Sequence, residues 1–257
     1  MRTRIQGILL AGLVAAALAS AQSPKPAPPE PGETLSYDVT WSIFDAGRVT
    51  ATLESAGGQP GDDLHASAVA RSQGFASLLY DIEDRFDSTF TPDAVCSRHI
   101  TKNINEGSRH RNFDLVFDEA RHVAVLTERD TSHPQGSSRH AENPIPPCVQ
   151  DVVSAFHFVR RQPLRVGQTF HLLLNDGGKT FEIAVEVQAR EPVQSGLGTL
   201  AAFRLEPRVF GDFYKRKGRM WVWISDDERR YPLKIRMAIS IGAITATLKS
   251  AANGPAK

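Results

Sequence analysis

The sequence holds no apolar run long enough to cross a membrane as a helix. The run Ile8–Ala19 is about 12 residues, against the roughly 20 that a hydrocarbon core of ~30 Å requires. Charge of one sign is lacking as well. Thirty Lys+Arg stand against 29 Asp+Glu, which removes the bulk electrostatic case for nucleic acid as a partner. Motifs of chemistry are missing too. There is no Gly-x-Ser-x-Gly pentapeptide to hold a nucleophile on a strained turn, and Gly107-Ser108-Arg109-His110 reads as a polar hairpin turn. None of His99, His110, His133 and His140 has the i,i+4 partner or HExxH setting that fixes zinc. No catalytic residue, metal ligand or cofactor is therefore assigned. Cysteine is scarce, with only Cys96 and Cys148.

What the chain does have begins at its start. Arg2 and Arg4 precede the apolar run, and Ala19-Ser20-Ala21 follows it. A charged start, a short apolar middle and a small-residue exit are the parts of a secretory signal, so residues 1–21 are expected to be removed after Ala21. No Cys lies near that cut, so a lipid anchor there is not expected. Five prolines between Ser23 and Gly32 favour an extended linker over 22–32. Residues 33–252 are expected to form one β domain in the periplasm. In that oxidising compartment Cys96 and Cys148 would close a loop of about 50 residues as a disulfide, contributing ~3–4 kcal/mol; two buried thiols are the alternative.

Period-two alternation dominates this domain. Leu35, Tyr37, Val39, Trp41 and Ile43 alternate with Ser36, Asp38, Thr40 and Ser42, the mark of a strand with one buried face. Similar strands follow along the chain, and Asp176-Gly177-Gly178 supplies the positive-φ turn of a hairpin. The polar stretch Thr131–Asn143 is expected to be a loop. One segment breaks the pattern: Val152, Ala155, Phe156 and Val159 fall at i, i+3, i+4 and i+7, one face of a helix over about 150–161. Asp151 near its start and Arg160-Arg161 at its end suit the helix dipole. The expected fold is mainly β: an antiparallel meander of about eleven strands, curled into a barrel or half-barrel with this helix against it.

Three segments, taken together, support a resemblance. They are Gly32–Trp41 (GETLSYDVTW), Gln150–Phe156 (QDVVSAF) and Lys215–Asp227 (KRKGRMWVWISDD). In order and spacing they resemble the exported bacterial family called domain of unknown function 3108, over about residues 32–250. That family implies no catalytic residue. Its strand layout is similar to the curved sheet of LolA/LolB-like lipoprotein carriers, which implies a helix lying over an apolar concave face.

Several residues are candidates for a site. Tyr37, Trp41, Phe86, Phe156, Trp221 and Trp223 are bulky aromatics on the sheet and helix, and they would line a ligand cavity or simply fill the core. Lys215, Arg216, Lys217 and Arg219 form a basic cluster among aromatics. It suits lipid phosphates, or else it is a solvated hairpin tip. Asp81, Glu83 and Asp87 share one strand face with Arg85 while Asp84 takes the other, the pattern of a solvated face more than of a glycosidase pair. Asp226-Asp227-Glu228 reads as a turn.

These features lead to an expected function: a non-enzymatic periplasmic carrier for a hydrophobic or amphiphilic ligand, such as a lipid or acyl chain. Peripheral membrane contact is compatible with it. An envelope interaction or structural protein with a protein partner is the alternative, and a polysaccharide-active enzyme is a second.

Overall fold

The computed structural model describes residues 30–59, 61–209 and 218–253. The expected signal, residues 22–29 of the expected linker, and Lys215, Arg216 and Lys217 lie outside them. Fourteen strands form one antiparallel sheet. They are β1 (Glu33–Trp41), β2 (Phe44–Ser55), β3 (Leu64–Ser72), β4 (Glu83–Phe90), β5 (Ser97–Glu106), β6 (Arg109–Asp118), β7 (Val123–Asp130), β8 (Ser137–Pro144), β9 (Thr169–Asp176), β10 (Lys179–Ser195), β11 (Gly198–Val209), β12 (Met220–Ser225), β13 (Pro232–Ala238) and β14 (Ala243–Asn253). Two short helices interrupt them, α1 (Phe75–Leu79) and α2 (Ser154–Arg160). No helix among the described residues is long and apolar enough to cross a membrane.

The strand order is a meander, β8 through β1 in reverse, then β14 back to β9, so β8 and β9 are the two edges and the sheet is not closed. The structure departs from the sequence reading in three places. There are fourteen strands where about eleven were expected. The stretch read as a loop holds β8, which pairs along its length with β7. Its residues are largely exposed, so no buried face imposed an alternating pattern. The helix is also shorter than 150–161, because Gln150 bridges to the edge strand β9 and a turn at Val152–Val153 precedes α2. Gln150 N–H donates to the Leu173 carbonyl (2.8 Å), and Asn175 N–H donates to that of Gln150 (2.7 Å).

That extended segment ties the two halves of the sheet together. Cys96, just before β5, is disulfide-bonded to Cys148, and Ser97 N–H donates to the Val149 carbonyl (2.9 Å). Asp151 is 1% exposed. Its Oδ2 accepts from the Ser88 and Ser97 hydroxyls (2.6 Å each), and its Oδ1 accepts from the amides of Val153 (2.8 Å) and Ser154 (3.0 Å). A buried carboxylate is tolerated only with its lone pairs satisfied in this way. The same bonds fix where α2 begins.

Register places the inward-facing side chains in rows, since residues two apart share a face. The lowest row is Glu33, Leu53, Ala66, Ser88 and Ile100 across β1 to β5. Above it runs Leu35, Ala51, Ala68, Phe86 and Lys102, and above that Tyr37, Val49, Ala70 and Asp84. Asp81, Glu83 and Asp87 thus do not share a face with Asp84: Arg85 pairs Asp87 (2.6 Å) and Arg71 pairs Glu83 (2.8 Å) outside.

On the other half, the faces of β12 serve different clusters. Met220, Val222 and Ile224 join Leu172, Ile183, Val185 and Phe203 under α2 residues Ala155, Phe156 and Val159. Trp221 and Trp223 cluster instead with Val193, Leu197, Leu200 and Ala202 from the far end of the β10–β11 hairpin. That hairpin reaches β14, where Gly196 N–H donates to the Leu248 carbonyl (2.7 Å). A Cβ on Gly196 would sit 1.9 Å from the Lys249 carbonyl oxygen, so glycine is required there. The β9–β10 turn is a two-residue loop, with Gly177 and Gly178 both at positive φ.

The disulfide constrains an unfolded loop spanning 52 residues. Replacing both cysteines, C96S with C148S, is expected to lower stability by about 3–4 kcal/mol in urea titration. The far-UV circular dichroism of the sheet should be retained.

Candidate functional site

The inward rows leave space. A cavity of about 670 Å³ lies between β1–β5, β13–β14 and the underside of α2. Its wall on β2 and β3 is thin because the inward positions include Ala51, Ala66 and Ala68, where a filled core would carry branched aliphatics. Leu35, Tyr37, Val49 and Phe86 complete that wall, and Val152, Val153 and Phe156 close it from above. The interior is therefore apolar, in a volume range typical of small-molecule sites (about 300–1,000 Å³).

Its floor is sealed by charge. Arg160, at the end of α2, is 2% exposed and meets Glu33 end-on through two hydrogen bonds (2.6 and 2.7 Å). The same guanidinium donates to the carbonyls of Arg230 (3.1 Å) and Arg229 (3.0 Å). This fork-to-fork arrangement uses the guanidinium's donors and leaves the floor without net charge. Arg160 thus does more than complement the helix dipole: it anchors α2 to β1 and to the β12–β13 turn. In that turn Asp227 is satisfied by Ser225 Oγ and the amides of Arg229 and Arg230.

Two further polar groups line the space. His157 is stacked near Phe90, ring centroids 5.1 Å apart, and its Nδ1 is shielded from water with no hydrogen-bond partner. Burial, with the nearby Arg160 and Arg161 cations, pushes its pKa down to about 3. Burial also raises the Tyr37 phenol, against the opposing pull of Arg160. Farther up, Lys102 on β5 pairs with Asp176 at the end of β9 (2.5 Å) and lies over the Phe113 ring. That pair spans the gap between the two halves of the sheet. No group of three or more metal-ligating side chains occurs among the described residues.

The family model for proteins of unknown function DUF3108 matches residues 36–249. The chain belongs to that family. None of the curated proteins matches it. Among solved structures it is similar to the β-barrel-like DUF1849 protein of Brucella abortus, at 10% identity and a TM-score of 0.56, covering 89% of this chain and all of that one. A Bacteroides fragilis protein with a YmcC-like fold is more distant, at 12% identity and a TM-score of 0.39 over 88% of this chain and 97% of that one. The first likeness shows a shared fold. For this DUF3108 protein, the site must be argued from its own residues.

Of the aromatics singled out from the sequence, Tyr37, Phe86 and Phe156 line the cavity. Trp41, Trp221 and Trp223 do not. Trp41 is on the outer rim, its indole N–H donating to the Ile241 carbonyl (2.9 Å). Trp223 is buried in the hairpin-covered cluster, its N–H donating to Glu191 (2.7 Å). Arg219 is held by Glu206 (2.7 Å) with its guanidinium over Trp221, so it is committed within the sheet. Sequence reasoning missed Glu33, Arg160, His157, Lys102 and Asp176. One signal was available for Arg160: it lies four residues after Phe156, at the margin of the helix's apolar face.

Breaking one side of the buried pair by E33Q should cost about 3–5 kcal/mol, whereas E33L with R160M should recover most of it, because the penalty is the stranded charge. Denaturant unfolding of the three proteins checks this. His157 takes up its proton near 6.5 when unfolded but only near 3 when folded, so the unfolded state binds more protons in between and stability falls as pH drops through that window. Relative to H157F, which cannot titrate, the native protein should lose about 2 kcal/mol between pH 7 and pH 5. A pH-independent difference between the two would refute the assignment.

Proposed function

We propose that this protein is a non-enzymatic carrier of the cell envelope that holds an acyl chain of an amphiphile in the cavity beneath α2. The apolar space of about 670 Å³ bounded by alanines carries this reading. Each methylene buried there contributes about 0.8 kcal/mol, so one acyl chain gives ample affinity without a charged contact. The matched Glu33–Arg160 pair offers no unpaired charge to a headgroup, so the tail occupies the floor. The headgroup stays near Lys102, Glu106 and Asp176. A disulfide between Cys96 and Cys148 fits an oxidising compartment, in keeping with export through the N-terminal signal and work in the periplasm.

Filling the cavity tests the proposal. Native mass spectrometry of protein purified from cells should show a bound lipid, and dansyl-undecanoic acid should gain fluorescence on binding. A51F with A68F should abolish both while leaving the sheet's circular dichroism unchanged. Lipid-free protein that gives no dansyl signal would overturn the reading.

A further inference from the structure

The exposed large apolar side chains of the half-barrel are concentrated at one end, beside the polar β5–β6 and β9–β10 turns (Glu106–Arg109 and Asp176–Lys179). At the end near the Glu33–Arg160 floor, the turns are polar: Gly57–Gln59 with Asp62, Glu119–His122, and Asp226–Arg229. At the opposite end lie the β1–β2 turn, α1 between β3 and β4, and the β13–β14 turn. There Ile43 is 86% exposed, Leu78 82%, Ile241 73% and Phe44 65%. Eight of the ten exposed large hydrophobic side chains among the described residues lie at this end; the other two are Val116 and Val166. An apolar concentration of this kind on a folded surface marks an interaction site.

The tips are also held in place relative to one another. Trp41 Nε1–H donates to the Ile241 carbonyl (2.9 Å), and Ser42 N–H donates to that of Ala243 (2.7 Å). Gln73 N–H, leading into α1, donates to the Ala46 carbonyl behind the first tip (3.0 Å). The apolar side chains are thus presented on a fixed rim. Met237 connects that rim to the interior, since it is exposed at this end and also lines the cavity. Charges behind the tips are matched, Asp38 with Lys249 (3.1 Å) and with Arg48 (3.6 Å).

We infer that this rim, formed by the β1–β2 tip, α1 and the β13–β14 tip, is a membrane-docking surface that inserts into the outer part of a phospholipid bilayer. Continuity with the cavity identifies the occupant. An acyl chain crosses water at a cost of about 0.8 kcal/mol per methylene, and a mouth whose edge is immersed in lipid removes that crossing. The side chains fit the depth: Trp41 and Tyr80 carry polar tips on apolar rings, the residue types enriched at the headgroup level, with Ile43, Phe44, Leu78 and Ile241 around them. Asp38, Arg48 and Lys249 are paired behind the tips and Asp45 adds a carboxylate at the first one, so attachment rests on apolar insertion, not on attraction to anionic lipid. The cargo of this docking step rests on the carrier reading above; the docking itself does not.

Flotation with vesicles of phosphatidylethanolamine and a minor fraction of phosphatidylglycerol tests the inference, using protein processed and purified from the envelope. The protein should float with the vesicles, with little loss at high salt. I43D with L78D and I241D should weaken binding about tenfold or more, whereas V116D, an exposed site elsewhere, should not. A51F with A68F should still float although it cannot bind dansyl-undecanoic acid, which separates failure of docking from failure of the cavity. Equal flotation of the triple variant and the native protein would overturn the inference. So would absence of flotation together with a concentration-dependent dimer, in sedimentation, that the same three substitutions disperse, since the rim would then cover a second copy.

Discussion

Asp151 carries its charge out of reach of water, and four donors from three directions converge on it. Ser88 belongs to β4, Ser97 to β5, and the amides of Val153 and Ser154 to the turn that opens α2. None of these partners is replaceable by solvent, so the carboxylate is satisfied only when the helix begins at that point above those strands. The residues just before it are committed as firmly, since Cys148 is bonded to Cys96 and Gln150 is paired with the edge of β9. A sheet of fourteen strands with two free edges could flatten or twist in many ways. This crossing segment selects one curvature by linking the β4–β5 region to β9, and α2 is carried into place as a consequence.

The second anchor, Arg160 with Glu33, acts at the other end of the same helix. Between two fixed ends, α2 spans the concave face, and how fully the space beneath it is packed depends on the strands below. On the β9–β13 side the inward residues are Leu172, Ile183, Val185, Val222 and Ile224, and they fill it. On the β2–β3 side four of the six inward residues in the three rows, Ala51, Ala66, Ala68 and Ala70, are alanines beside Val49 and Leu53, and they leave it open. The hollow therefore arises from side-chain size on two strands under a helix held rigidly above them. A helix free to settle would close over small residues, as partial collapse does at truncated core sites.

Much of this was legible in the sequence. Alternation disclosed the strands and the inward set Leu35 and Tyr37, the i, i+3, i+4, i+7 pattern disclosed α2, and the two cysteines disclosed their bond. What escaped has physical reasons. The strand β8 is solvated on an edge, where nothing selects for an apolar period. Trp221 and Trp223 looked like cavity aromatics because both faces of β12 are apolar, but the long β10–β11 hairpin covers one of them. Such a second layer is a tertiary event without local trace. Glu33 and Arg160 are far apart in the chain, and each alone reads as an ordinary surface charge. Alanine at the inward positions 51, 66 and 68 was the readable sign of a thin wall, since alternation shows which face each occupies and composition shows how little of that face it fills.

The polarity of the molecule follows from the same arrangement. Three of the buried charges, Asp151, Arg160 and Glu33, gather where the crossing segment and the helix meet the strands, and the turns at that end are polar. At the opposite end the buried Asp84 accepts from the Asn105 amide (2.8 Å) and Lys102 pairs with Asp176, and neither contact involves the β1–β2 or β13–β14 tip. Large apolar side chains remain exposed there although their burial would be favourable by ~1.5–3 kcal/mol each. Burying them within the molecule would mean folding the tips inward over Met237 and the cavity, and the hydrogen bonds of Trp41 and Ser42 to the neighbouring tip hold them away from it. An open mouth and an apolar rim are thus two results of one constraint.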